Sequence, residues 1–139
     1  MLDLSPLQSA ISALVRALSV TGDARRWQQF DAETQEALKA GVIQTFKVAY
    51  EQSWKMMRRW LSANPAAGDV DGVPMRQLYR VAAKVGLIEG VDPWMDFHAA
   101  RNQTSHTYYR AIAQTVFDLA PVFAGQAQAM LAQLEKRND

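Results

Sequence analysis

The residues of this sequence best suited to acid–base chemistry on a charged substrate lie together between positions 100 and 110. Arg101 is followed five positions later by His106, and Tyr108 lies two positions beyond that histidine. Histidine is the usual proton donor and acceptor near neutral pH, and an arginine can stabilise negative charge that develops on a phosphate. At the start of a helix, where anions are favoured, such residues could cleave an RNA phosphodiester without a metal ion.

Arg101 also has a structural explanation. It is spaced from Trp94 and Phe97 by seven and four residues, so the three share one helix face, and this face points toward the core. An arginine in that position either extends to solvent, pairs with a buried carboxylate or binds an anionic ligand. The spacing alone favours a structural role and leaves all three arrangements open.

The other polar residues between positions 102 and 108 can also be explained by structural roles. His106 at a helix start is more often structural, and Tyr108, in phase with the core positions of the last helix, should lie at the mouth of the core. Asn102 is most simply a helix terminator, and Ser105 or Thr104 most simply an N-cap. The combination of these residues in one connection, rather than any one of them, indicates a site, with Asn102 and Ser105 in supporting positions.

The composition excludes several classes of site. The chain has no cysteine, which excludes disulfides, thiolate metal ligands and cysteine nucleophiles. A metal site is not expected, because there are only two histidines and the second, His98, falls on a different helix. The net charge of +1 lacks the strong basic excess of many nucleic-acid binders, so any such contact requires local clustering.

The periodicity of apolar residues predicts an all-α, up-and-down bundle of four to five helices in a single domain spanning residues 1–139. The expected helices cover residues 5–20, 31–62, 74–86, 93–102 and 104–136, the last beginning between 104 and 107 and continuing through Pro121; residues 25–30 are ambiguous. No signal peptide and no apolar stretch of roughly 18 residues is present, so we expect a cytoplasmic protein without a membrane segment.

The helix ends are predicted from capping residues. Ser5 should cap the first helix with Pro6 at its first position, and Asp92 should cap the helix that Pro93 begins. The tail, residues 135–139, should be solvated. The expected core positions are Leu4, Leu7, Ile11, Leu14, Leu18, Leu38, Val42, Ile43, Phe46, Tyr50, Trp54, Met57, Leu61, Met75, Leu78, Ala82, Val85, Ile112, Val116, Leu119, Phe123, Met130 and Leu134.

A second group of polar residues lies on the face of the long helix opposite its core stripe. This face carries Lys47, Glu51, Lys55, Arg58 and Arg59. A solvated surface is the simpler interpretation. The alternative is that Lys55, Arg58 and Arg59 contact an RNA backbone, in which case binding should depend on salt.

The spacing of Arg101, Asn102, His106 and Tyr108 resembles the RxxxxHxY motif of the HEPN superfamily. Three further segments resemble a branch of that superfamily known as nucleotidyltransferase substrate-binding proteins, which is similar to the HepT-type toxins of HEPN/MNT toxin–antitoxin pairs. These segments are Gly41-Val42-Ile43-Gln44-Thr45-Phe46, Tyr50-Glu51-Gln52-Ser53-Trp54-Lys55, and Gly86-Leu87-Ile88 followed by Asp92 and Trp94.

The resemblance implies a homodimeric helical bundle in which the two motifs face each other across a cleft. It implies a metal-independent endoribonuclease without a cofactor that cuts tRNA or mRNA, with Arg101 and His106 as catalytic residues. It also implies a partner, a minimal nucleotidyltransferase antitoxin that transfers AMP to Tyr108. The alternative is a non-catalytic subunit that binds a nucleotide or substrate for that enzyme.

Three positions depart from the pattern of the family. Tyr109 follows the motif tyrosine where an acidic residue is common, which makes it a second candidate for modification. Lys47 stands where an acid is common, and Val73 replaces the usual serine before Pro74. None of these changes removes the catalytic pair.

Overall fold

The computed structural model describes residues 1–138, and all regular secondary structure in this range is helical. The helices are α1 (Ser5–Thr21), α2 (Ala24–Gln29), α3 (Ala32–Ser62), α4 (Met75–Lys84), α5 (Val91–Gln103) and α6 (Arg110–Arg137), with short 3-10 turns at Pro65–Ala67 and Thr104–His106. The predicted all-α class is confirmed. The short α2 is the addition to the four to five expected helices. No helix within residues 1–138 is both long and apolar enough to cross a bilayer.

The long helix α3 is the centre of the bundle and packs against α1 and α6, while α5 packs against α4 and α6. The predicted apolar stripes face this shared core, because residues three and four apart lie on one side of a helix. Most of the predicted positions are buried. The exceptions are only partly buried; they are Leu18, Leu38, Trp54, Met75, Val85, Ile112 and Leu119.

An aromatic cluster around Phe123 of α6 joins three helices. The ring centroid of Phe123 lies 5.1 Å from those of Phe46 and Phe97 and 5.8 Å from that of Trp94, in edge-to-face arrangements. All four side chains are fully buried. Since Trp94 and Phe97 belong to α5, this cluster fixes α5 against α3 and α6 and thereby positions its C-terminal end.

Two of the predicted caps are wrong. Ser5 is the first residue of α1 and not its cap; Leu4 precedes the helix, and the Asp3 carboxylate accepts a hydrogen bond from the Ser5 amide at 2.9 Å. Helix α5 begins at Val91 after Gly90, which places Asp92 within its first turn. An acid in the first turn still stabilises the helix through its dipole. The prediction that Asp92 marks the start of a helix is therefore correct, but its assignment as the cap is not.

In the tail that was predicted to be solvated, Glu135 and Lys136 are exposed, but Arg137 and Asn138 contact the bundle; Asp139 lies outside the described residues. Arg137 donates to the carbonyl oxygen of Val85 at the end of α4. Asn138 exchanges two hydrogen bonds with the backbone of Leu2, at 2.9 and 2.8 Å. The first contact satisfies a carbonyl at the end of α4, and the second attaches the segment before α1 to the end of α6.

Candidate active site

Arg101 lies in the last turn of α5, where its guanidinium group is held by two side chains. Its Nε donates to Oε1 of Glu51 at 2.7 Å, and its Nη1 donates to Oγ1 of Thr104 at 3.4 Å. The side chains of Arg101 and Glu51 are both 28% exposed, so this is a partly buried, charge-assisted pair. Among the three arrangements left open by the sequence, pairing with a carboxylate is the one observed. Nη2 has no hydrogen-bond partner within residues 1–138.

Glu51 is the site residue that the sequence pattern misplaced. We predicted it on the solvated face of α3, but its carboxylate faces Arg101, and Lys55 lies 3.9 Å from its second oxygen. Helical periodicity could not show this, because α5 crosses that edge of α3 only in the folded chain. The one available signal was an arginine predicted to point inward, which requires a partner.

The connection from α5 to α6 is a chain of hydroxyl-stabilised turns. Oγ1 of Thr104 donates to the carbonyl of Arg101 at 2.7 Å, and Ser105 and Thr107 bond in the same way to residues three positions back, at 3.4 and 3.3 Å. The prediction that Ser105 or Thr104 caps the last helix is wrong, since α6 begins only at Arg110. These local bonds compete with helix formation and give the turn its shape.

His106 ends the 3-10 turn on the molecular surface, and an exposed pair of tyrosines follows it. Nδ1 of His106 lies 3.3 Å from the hydroxyl of Tyr108, and the rings of Tyr108 and Tyr109 are 4.5 Å apart. Tyr108 is 71% exposed and Tyr109 58%. The prediction that Tyr108 lies at the mouth of the core is wrong, because it precedes α6 and the phase of that helix does not extend to it.

A buried polar network reaches the same end of α5 from the interior. The hydroxyls of Tyr50 and Tyr79 are hydrogen-bonded to each other, and the Tyr50 hydroxyl lies 3.1 Å from Nδ1 of His98. Nε2 of His98 lies 3.4 Å from the side-chain amide of Asn102. Burial raises the pKa of both tyrosines above the usual range, so both hydroxyls remain protonated. From the sequence, His98 was weighed only as a metal ligand, and this network was not predicted.

The predicted cation cluster divides into fixed and exposed members. Arg58 donates to the carbonyl oxygen of Val73 at 3.0 Å and lies over the ring of Trp54 at 5.4 Å, so it has a structural role. Lys55 and Arg59 are exposed and line an open groove of about 510 Å³ beside Trp54. The predicted contacts of Lys55, Arg58 and Arg59 with an RNA backbone remain a prediction.

Two cavities adjoin the motif and could hold a ligand. One of about 190 Å³ lies between α3 and the turn and is lined by Lys39, Lys47 and Thr107, among others. The second, of about 600 Å³, is lined by Lys39, Tyr108 and Arg110, among others. Within the part of the chain that the structure describes, no group of three or more His, Asp or Glu side chains is placed to hold a metal ion.

The fold and this site define a class of small helical protein with an arginine–histidine motif at one helix end, and comparisons identify the class. A family model described as nucleotidyltransferase substrate binding protein like matches residues 2–136. The chain therefore belongs to this family. It is also 33% identical over 141 residues to a Haemophilus influenzae protein named probable ribonuclease HepT, a match that covers 99% of this chain and 94% of that protein.

Solved structures agree with the assignment. A Haemophilus influenzae structure, described as revealing the fold of a substrate binding domain of a nucleotidyltransferase, superimposes with a TM-score of 0.90 at 30% identity over 96% of this chain and 99% of that one. A Thermus thermophilus crystal structure matches with a TM-score of 0.69 at 23% identity, over 90% of this chain and 98% of that one. The second match supports the fold alone.

Proposed function

We propose that this protein is a metal-independent endoribonuclease in which Arg101 and His106 perform the cleavage. The observation that carries the proposal is their placement: a fixed arginine in the last turn of α5 and an exposed histidine on the turn that follows directly. The name of the Haemophilus relative, a probable ribonuclease, supports the same class of reaction.

The chemistry requires proton transfer and charge stabilisation. A base removes the proton of a ribose 2′-hydroxyl, whose oxygen then bonds to the adjacent phosphorus while the bond from phosphorus to the 5′-oxygen breaks, and an acid protonates that oxygen. His106 is exposed to substrate and can exchange the proton. Arg101, whose Nη2 makes no hydrogen bond within residues 1–138, stabilises the negative charge of the transition state. Asn102 and Ser105 support the turn on which these groups lie.

A homodimer gives the site its second proton-transfer group. Base and acid act on opposite sides of the phosphorus, and one exposed histidine per chain supplies one of them. If two copies place their motifs across a cleft, the His106 of each copy serves in one of the two roles. The mass of the purified protein in solution, measured by light scattering, should therefore be twice that of the chain.

The partner is a minimal nucleotidyltransferase that silences the toxin by modifying Tyr108, with Tyr109 as the second candidate. The tyrosine oxygen loses its proton to a base and bonds to the α-phosphorus of ATP, and the bond from that phosphorus to pyrophosphate breaks, leaving AMP on the phenol. The exposure of Tyr108 and its hydroxyl 3.3 Å from His106 support this assignment. The added phosphodiester is an anion beside His106, where the RNA phosphate must otherwise bind.

The decisive experiment is RNA cleavage by the purified protein, with tRNA and mRNA as substrates and EDTA in the buffer. Arg101→Ala and His106→Gln should each abolish cleavage, while Arg25→Ala, an exposed arginine of α2, should cleave as the wild type does. Intact RNA at every concentration of the wild-type dimer, or equal cleavage by all three variants, would refute the proposal.

The ion pair between Glu51 and Arg101 also favours a second candidate, a non-catalytic subunit that binds a nucleotide for the nucleotidyltransferase. A neutralised arginine orients a phosphate well but contributes less charge to a transition state. The description of the Haemophilus structure as a substrate binding domain points in the same direction. Nucleotide binding that is lost in Arg101→Ala, without RNA cleavage by the wild type, would support this function.

A further inference from the structure

The buried network near the end of α5 allows the donor and the acceptor of each hydrogen bond to be assigned. Tyr79, Tyr50, His98 and Asn102 form a line from the core to the end of α5, through three successive contacts. Tyr50 and Tyr79 are 1% and 0% exposed, whereas Asn102 is at the surface directly after Arg101. Each hydroxyl and the neutral imidazole have one proton to donate along this line. The hydrogen bonds can therefore run either from Asn102 toward Tyr79 or from Tyr79 toward Asn102.

In the first direction, the Asn102 amide nitrogen donates to Nε2 of His98. Nδ1 of His98 then carries the proton and donates to the Tyr50 hydroxyl, which donates to the Tyr79 hydroxyl. The Tyr79 proton is left without an acceptor among the protein atoms of residues 1–138, although its side chain is fully buried. A buried donor without a partner is costly, which disfavours this direction.

In the second direction, every buried donor has an acceptor. Tyr79 donates to Tyr50, Tyr50 donates to Nδ1 of His98, and the Nε2–H of His98 donates to the Asn102 side chain. This requires the oxygen of the Asn102 amide to face His98, which is a rotation of the amide by half a turn. The two orientations of an amide have nearly the same shape, so the hydrogen-bond network decides between them.

We propose that the buried hydroxyl of Tyr50 fixes His98 in its Nε2–H tautomer and that His98 thereby orients the Asn102 amide with its NH₂ group toward solvent, one position after Arg101. His98 and Tyr50 are then positioning residues, and Asn102 offers two N–H donors to a phosphate oxygen of the substrate. The tautomer follows from the network alone, whereas the role of the NH₂ group rests on the proposed RNA cleavage.

The tautomer can be observed directly, because the chain contains only two histidines. Long-range ¹H–¹⁵N spectra of the imidazole rings, assigned with the His106→Gln variant, should show His98 with a protonated Nε2 and an unprotonated Nδ1. A protonated Nδ1 on neutral His98 would overturn the proposal. This measurement does not depend on any enzymatic activity.

A matched pair of variants tests the link to Asn102. Tyr50→Phe and Tyr79→Phe each remove one buried hydroxyl, but only Tyr50→Phe removes the donor to Nδ1 of His98. We expect Tyr50→Phe to lose the fixed tautomer and to lower kcat for RNA cleavage about tenfold, as we also expect for Asn102→Ala, while Tyr79→Phe should retain the tautomer and kcat. Equal effects of the two tyrosine variants would contradict the inference. Absence of cleavage by the wild type would refute the proposed function and the role of the NH₂ group. The ¹H–¹⁵N spectra would then still confirm or refute the tautomer of His98.

Discussion

Oε1 of Glu51, in the middle of α3, lies 2.7 Å from Nε of Arg101, at the end of α5. The two residues are separated by 50 positions in the sequence, and the pair connects the central helix of the bundle to the motif. The contact uses Nε, and Nη2 makes no hydrogen bond within residues 1–138. Glu51 therefore acts on the candidate site by holding Arg101 in one orientation, at the cost of part of its charge.

Replacement of the Glu51 carboxylate should show whether it orients Arg101 for catalysis or mainly stabilises the fold. Glu51→Gln retains an oxygen that can accept from Arg101 but loses the charge that strengthens the bond. We expect kcat for RNA cleavage to fall about tenfold and the free energy of unfolding to change by about 1 kcal/mol or less, because the pair is partly exposed. Steady-state kinetics and urea unfolding measure the two effects. Glu33→Gln, an exposed acid of the same helix, is the control, and an equal loss of kcat in both variants would contradict this role.

Modification by the partner should depend on one of the two adjacent tyrosines. When the protein is produced together with its nucleotidyltransferase, the wild type should gain mass in steps of one AMP, and Tyr108→Phe should gain none. Cells producing Tyr108→Phe should remain arrested, while Tyr109→Phe should still be modified and silenced. Intact-protein mass spectrometry and growth curves provide the measurements. Modification that persists in Tyr108→Phe and disappears in Tyr109→Phe would transfer the role to Tyr109.

The buried tyrosines should make the fold sensitive to alkali. Burial raises the pKa of Tyr50 and Tyr79 in the folded state above the unfolded value of 10.0. Their contribution to stability is therefore complete below pH 10.0 and is lost as the pH rises above it, because the unfolded state then releases protons that the folded state keeps. Urea unfolding at about pH 9 and about pH 11 should show a smaller loss of stability for Tyr79→Phe than for the wild type. Tyr109→Phe, which lacks such burial, should follow the wild type; an unchanged loss in Tyr79→Phe would argue against the shift.

The aromatic cluster should be the main structural support of the site. Phe123→Ala removes the ring that contacts Phe46, Trp94 and Phe97, and we expect a loss of about 3–5 kcal/mol in the free energy of unfolding. Urea unfolding measures the change. Val122→Ala, at the next position of α6 and 54% exposed, should change it by about 0.5 kcal/mol or less. A comparable loss in both variants would show that the cluster is not specifically responsible.

The sequence by itself determined the helices and the location of the motif. Apolar residues at intervals of three and four predicted α1, α3, α4 and α6 and most of their buried positions, because that spacing is a property of a single helix. Arg101, His106 and Tyr108 were also recognisable as one group, since they lie within one short stretch of the chain. Helix ends were less certain: the hydroxyl-bonded turn after α5 delays α6 to Arg110, because local side-chain bonds there compete with the helix.

Only the tertiary structure decided which groups surround the motif. The partner of Arg101 is Glu51, and the residues behind Asn102 are His98, Tyr50 and Tyr79, which come from three different helices. Helical periodicity divides residues into inner and outer faces, but it does not specify where a second helix crosses a face. Glu51 lies on the face of α3 that the sequence pattern predicts to be solvated. Because α5 crosses that face, Glu51 contacts Arg101 and belongs to the candidate site.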